Sequence, residues 1–358
     1  FVDGTGPVWT GNLFPFLFIT IACGAVSGFH ALISSGTTPK MLANESQACF
    51  IGYGGMLMES FVAIMALVAA CIIDPGVYFA MNSPMAVLAP AGTTDVVASA
   101  AQVVSGWGFS ITPDTLHQIA SEVGEQSIIS RAGGAPTLAV GMAYILHGSL
   151  GGLMDVSFWY HFAILFEALF ILTAVDAGTR AARFMLQDLL GVISPGLKKT
   201  SSLPANLLAT ALCVLAWGYF LHQGVVDPLG GINTLWPLFG IANQMLAGMA
   251  LMLCAVVLFK MKRQRYAWVA LLPTSWLLIC TLTAGWQKSF SPDTKVGFLA
   301  IANKFQAMID SGNIPPQYTE SQLAQLVFNN RLDAGLTIFF MIVVVVLALF
   351  SIKTALAA

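Results

Sequence analysis

Residues 19–40 read ITIACGAVSGFHALISSGTTPK, and the fold turns on how this stretch is read. It is apolar enough for a membrane helix, yet Gly24, Ser27, Gly28, His30, Ser34, Ser35 and Gly36 stand in its middle and end. Glycines loosen the helical ladder, and hydroxyls and an imidazole cost free energy in hydrocarbon. Such groups persist at membrane depth where they face protein, water or a ligand. A helix serving only as an anchor has no use for them, so the stretch predicts a broken helix lining a transport site.

The composition agrees with a membrane setting. Of 358 residues, 57% are hydrophobic and 9% charged, against about 25% charged in an ordinary soluble domain, which excludes a soluble globular enzyme. Crossing the hydrocarbon takes about 20 mostly apolar residues. Runs of that kind lie at 12–34, 50–73, 158–177, 205–222, 234–259, 267–285 and 335–357, with a weaker, glycine-rich one at 134–154. The ten-residue alternation of a membrane barrel is not found, so the fold class is an all-α polytopic membrane protein in one embedded domain. Cys23, Cys49, Cys71, Cys213, Cys254 and Cys280 lie in or beside apolar runs without a C-x-x-C pair and read as small hydrophobes. No cofactor, metal or nucleic-acid partner is expected. The start at Phe-Val-Asp, without Met or a signal pattern, reads as the C-terminal part of a longer protein whose N-terminal half would be a partner in the fold.

Charge sets the orientation. Arg180, Arg183, Lys198 and Lys199 share one connection and Lys260, Lys262, Arg263 and Arg265 another, and the positive-inside rule makes both cytoplasmic, beside anionic membrane lipid. Segment 74–133 carries Asp74, Asp95, Asp114, Glu122 and Glu125 against Arg131, with proline and glycine turns, and reads as an external loop. Residues 286–334 also read as an outer loop. If 134–154 and 158–177 both spanned, Arg180 and Arg183 would emerge outside. The glycine-rich 134–154 is therefore read as a re-entrant or loop-packing element within a periplasmic loop, although a further helix near 84–106 would restore the parity equally well.

CGAVSGFHALISSGTTPK, IGYGGMLMES, FEALFILTAVDAGTRAARFMLQ and NTLWPLFGIANQ, in this order along the chain, resemble the carbon-starvation protein A (CstA) family of bacterial inner-membrane transporters, most closely its enterobacterial members. The resemblance implies uptake of peptides or, as in close relatives, of pyruvate with protons, during carbon starvation. It also implies the amino acid/polyamine/organocation (LeuT-like) fold of two inverted five-helix repeats, each opening on an unwound helix. In that frame 12–34 opens the second repeat, and 158–177 helps form a cation or proton site.

Individual residues keep two readings each. Gly24, Ser27 and Gly28 either bare backbone dipoles to a small anionic or peptide substrate or let helices pack closely. Ser34, within SSGTTP, either joins that site or ends a helix at the cytoplasmic surface. His30 carries a proton or serves as a structural donor. Glu59 is a proton-coupling acid whose pKa burial would raise, or a neutral acid bonded to a backbone carbonyl. Thr173 and Asp176 share a helix face with Arg180 beyond, which suits an ion site or an Asp176–Arg180 pair. His161 and Glu167 form a proton path. Asn243 and Gln244 read as amides that glue helices together. H⁺ is the expected coupling ion rather than Na⁺. An intramembrane serine protease is the alternative from a different class, weakened because Ala25 stands where its G-x-S-G motif requires glycine, and a nutrient sensor without transport is a third.

Overall fold

The computed structural model describes residues 11–90, 93–226, 231–315 and 318–357, and for 22–25, 86 and 231–237 it describes the backbone alone. Among the described residues every regular element is helical. Two compact units form, one from residues up to Thr38 together with Gly178 onward, the other from Pro39–Ala177.

The chain opens with α1 (Leu13–Ala25) and α2 (Gly28–Gly36), then a single turn, α3 (Thr38–Met41). The second unit holds α4 (Gln47–Ile72), α5 (Pro75–Asn82), α6 (Met85–Leu88), α7 (Val96–Gly106), α8 (Pro113–Val123), α9 (Ala135–Ser149) and the start of α10 (Val156–Ile193). The first unit resumes within α10 and adds α11 (Leu203–Val226), α12 (Gly231–Lys260), α13 (Trp268–Phe290), α14 (Phe298–Asp310) and α15 (Glu320–Leu356). Among the described residues, six helices are long and apolar enough to cross a bilayer: α4, α10, α11, α12 from Leu238, α13 and α15. The molecule is a multi-pass membrane protein.

Segment 74–133 is not an open loop. Asp74, Asp95 and Thr112 accept hydrogen bonds as N-caps of α5, α7 and α8, and Pro75 and Pro113 occupy first helical turns. Residues that read as turn formers are therefore helix starts. The resulting short helices bury Val77, Met81, Leu88, Val104, Leu116 and Val123 in one core with Val140 and Ala143 of α9. α9 has 15 residues, about 22 Å against a hydrocarbon core of about 30 Å, and it packs on α4, where Gly141 lies against the backbone of Ala69. Tyr144 of α9 donates to Glu122 of α8 at 2.6 Å. That bond, with a second from Gln118, holds the Glu122 carboxyl below the usual carboxylate range, while burial and the neighbouring Glu122 push the Tyr144 phenol up. Where the alternative placed a further helix, near 84–106, the chain forms α6 and α7, of 4 and 11 residues.

Other boundaries shift for a common reason: charged residues at a membrane surface do not end a helix, whereas proline and glycine do. α10 runs on past 177 through Asp188 to Ile193, before Ser194 and Pro195. The outer loop expected at 286–334 contains the end of α13, all of α14 and the first turns of α15. α15 starts at a capping box formed by Thr319 and Gln322, and buries Asn329, Asn330 and Asp333.

A broken helix clasped by two amides as candidate functional site

The run expected to form one discontinuous helix at 12–34 is two helices. α1 ends at Ala25, Val26 and Ser27 lie outside helical structure, and α2 starts at Gly28. Ser27 takes extended backbone angles (φ −108°, ψ 118°) and caps α2, its Oγ accepting from His30 N at 3.5 Å. The chain thus ends one helix and caps another, which is more than a bend. Helix ends leave N–H and C=O groups without intrahelical partners, and at membrane depth those groups need partners from elsewhere in the protein.

α12 supplies them through two adjacent amides. Asn243 Oδ1 accepts from Phe29 N at 2.8 Å and from Ser27 Oγ at 3.4 Å. Gln244 Nε2 donates to Ile19 O at 2.7 Å. One amide therefore holds the helix after the break and the next holds the helix before it, and both are buried. Close approach depends on Gly28, where a methyl group would overlap the Asn243 carbonyl oxygen and lie 2.8 Å from Ala247 N. The packing reading of Gly28 is thus realised in the structure. Gln244 Oε1 is buried and has no hydrogen-bond partner.

Chemically, the first N–H groups of α2 and the positive end of its dipole face the break, the kind of helix end that attracts anions. One of those donors, Phe29 N, is held by a neutral amide oxygen. Ser27 Oγ lies on the same oxygen, whereas a protease nucleophile needs a base there.

The remaining sequence-predicted residues are distributed as follows. Gly24 falls in the last turn of α1, and its surroundings lie outside the described residues. His30 is exposed in the first turn of α2, edge-on to Phe29. Ser34, also exposed, turns back to Ala31 O of its own helix at 3.1 Å. Glu59, His161, Glu167, Thr173 and Asp176 belong to the other unit, on α4 and α10. Glu59 is exposed. His161 Nδ1 bonds Ser157 O at 2.7 Å, and Thr173 Oγ1 donates to Phe170 O at 2.7 Å. His161 and Glu167 are six residues apart on one helix, about 9 Å along it and on different faces, so they do not meet directly. Asp176 is exposed near the end of this unit.

The sequence reading missed Lys288. It is 6% exposed in α13, its Nζ 5.2 Å from the Phe16 ring centroid and 5.9 Å from that of Phe298. A lysine at the edge of a polar segment carries no sign of burial, and only the α1 and α14 aromatics reveal it. Beside the end of α13, a cavity of about 350 Å³ is lined by Asn12, Trp286, Gln287 and Asp293 among others. Among the described residues, no group of three or more His, Cys, Asp and Glu could hold a metal ion.

Residues 1–284 match the family model described as Carbon starvation protein CstA. The chain belongs to the carbon starvation protein CstA family. Within it, the chain is 95% identical to the Peptide transporter CstA of Escherichia coli K12, over all of this chain and 51% of that relative. It is 58% identical to the Pyruvate/proton symporter BtsT of the same organism, over all of this chain and 52% of that protein. A Mycobacterium tuberculosis Peptide transporter CstA is 51% identical over 96% of this chain and 46% of its own length. The chain thus spans about half the length of the curated relatives it matches, and those relatives are named as transporters rather than enzymes. No solved structure matches the chain.

Proposed function

We propose that the chain forms the substrate-binding part of a secondary active transporter that takes up peptides or pyruvate across a bacterial inner membrane with protons, by alternating access within a LeuT-like inverted-repeat fold. The observation that carries this reading is the break at Val26–Ser27 inside a membrane-depth apolar run, where the start of α2 points donors at a polar acceptor. A carboxylate, which peptides and pyruvate share, is the ligand such an end attracts. The names of the relatives support transport, and one of them is a proton symporter. Glu59 and Glu167 are the proposed proton carriers, with His30, His161, Thr173 and Asp176 as further members of the coupling path.

The test is uptake by the full-length protein in proteoliposomes under imposed pH or sodium gradients, comparing pyruvate with a dipeptide. An inward pH gradient should drive accumulation and a sodium gradient should not. Glu59→Gln and Glu167→Gln should each abolish accumulation while leaving exchange partly intact. Unchanged accumulation in both variants would remove these acids from the path, and no uptake of either solute would end the transport reading.

A further inference from the structure

The amide of Asn243 poses a question that packing alone does not answer. If it served only to dock α2 on α12, its hydrogen bond would be what keeps the helices together. Yet their separation is set by Gly28, whose missing side chain lets its backbone touch the Asn243 carbonyl and lie close to Leu246 and Ala247. What that side chain adds is an acceptor oxygen, placed on Phe29 N at 2.8 Å and facing Ser27 Oγ at 3.4 Å. These are the donors a carboxylate oxygen would take at the start of a helix. One residue on, Gln244 Oε1 is wholly buried with no partner, so the polar surface of α12 at the broken helix has one acceptor engaged and one unfilled.

We infer that Asn243 is a resident competitor: its amide oxygen occupies the carboxylate-binding donors of α2 in the empty protein, and the incoming substrate carboxylate displaces it. This rests on the reading that the start of α2 binds the substrate. An amide oxygen suits the role. It satisfies a donor that would otherwise be orphaned at membrane depth, and being neutral it makes a weaker hydrogen bond than a carboxylate does. Its departure leaves no uncompensated charge behind. The competitor lowers apparent affinity by keeping the competent state a fraction of the population, and it keeps the empty break from collapsing onto unpaired backbone groups.

Competition and docking predict opposite signs for one substitution. Equilibrium binding of labelled pyruvate and of a labelled dipeptide is measured on the purified full-length protein, alongside thermal stability in the same detergent. With the competitor removed, Asn243→Ala should bind both ligands several-fold more tightly. Asn243→Asp, close in shape but carrying its own carboxylate, should bind both several-fold more weakly. A purely structural role would make both variants weaker, in step with their loss of melting temperature. Asn243→Ala binding no better than wild type while melting within a few degrees of it would overturn the inference. If Asn243→Ala does not fold, Asn243→Ser, which likewise lacks the amide oxygen, decides: binding no tighter than wild type in a folded Asn243→Ser protein would overturn it equally. A wild-type protein that binds neither ligand would instead remove the substrate-site reading, and this inference with it.

Discussion

Two apolar helices of this molecule carry glycines beside a polar residue, and the structure treats them differently. At the start of α2, Gly28 lies against the backbone of α12, and the polar neighbour Ser27 is bonded to Asn243. In the first half of α4, Gly52, Gly54 and Gly55 have nothing within 4 Å of where a side chain would begin, and Glu59 is exposed, as are Phe50, Leu57, Met58 and Phe61. In α2 the glycine is a contact; in α4, among the described residues, nothing lies opposite the glycines. α4 makes its close approach elsewhere, at Ala69, against Gly141 of α9. A glycine in an apolar run is therefore not evidence of packing until something is found opposite it.

Adding a methyl group at each glycine sharpens the contrast, read as thermal stability of the full-length protein. Gly28→Ala should cost most, on the order of 1–3 kcal/mol for overpacking and toward the upper end because the added carbon meets backbone atoms that cannot swing aside. Its uptake should fall as well. Gly141→Ala follows, since the new methyl would overlap the Ala69 carbonyl, with a similar cost that should leave α2 and α12 unaffected. Tyr144→Phe should cost less, about 0.5–1.5 kcal/mol for one hydrogen bond, discounted further because Glu122 is solvent-accessible.

The same pair gives a pH test. A carboxyl whose folded pKa is lowered contributes stability above its ordinary pKa and loses it as pH falls through the folded value. The Glu122 contribution should therefore be present at neutral pH and disappear below the usual carboxylate range, and Tyr144→Phe should flatten that acid limb. A phenol whose pKa is raised loses its contribution as pH climbs beyond the ordinary tyrosine value, so the variant should also blunt the alkaline limb. Gly55→Ala should do least. With nothing to strike, it gains helix propensity of up to about 1 kcal/mol, and a large destabilisation would show that the face of α4 is covered.

The break was legible because Gly24, Ser27, Gly28 and His30 fall together in an apolar run, a local pattern that needs no knowledge of the fold. Its partners were not legible as such. Asn243 and Gln244 were readable as helix glue, but no periodicity connects them to Phe29 and Ile19, more than 200 residues away. The spans were visible as apolar runs, while their ends were misplaced wherever polar residues continue a helix, as with Asn329 and Asp333 in α15 or Arg180 and Asp188 in α10. The acidic segment 74–133 misled for the opposite reason: Asp74, Asp95 and Pro113 signal turns and helix starts alike, and only the core that α5, α7 and α8 share tells which.

The central claim is that the chain opens at Val26–Ser27 to hold a carboxylate, and Val26→Cys in a cysteine-free version of the full-length protein tests it most directly. In proteoliposomes the account predicts that a charged, membrane-impermeant thiol reagent modifies this residue, and that saturating pyruvate or dipeptide slows the modification several-fold. A cysteine there that stays unmodified when reagent is supplied on either side, or one that reacts at the same rate with and without substrate, would contradict it.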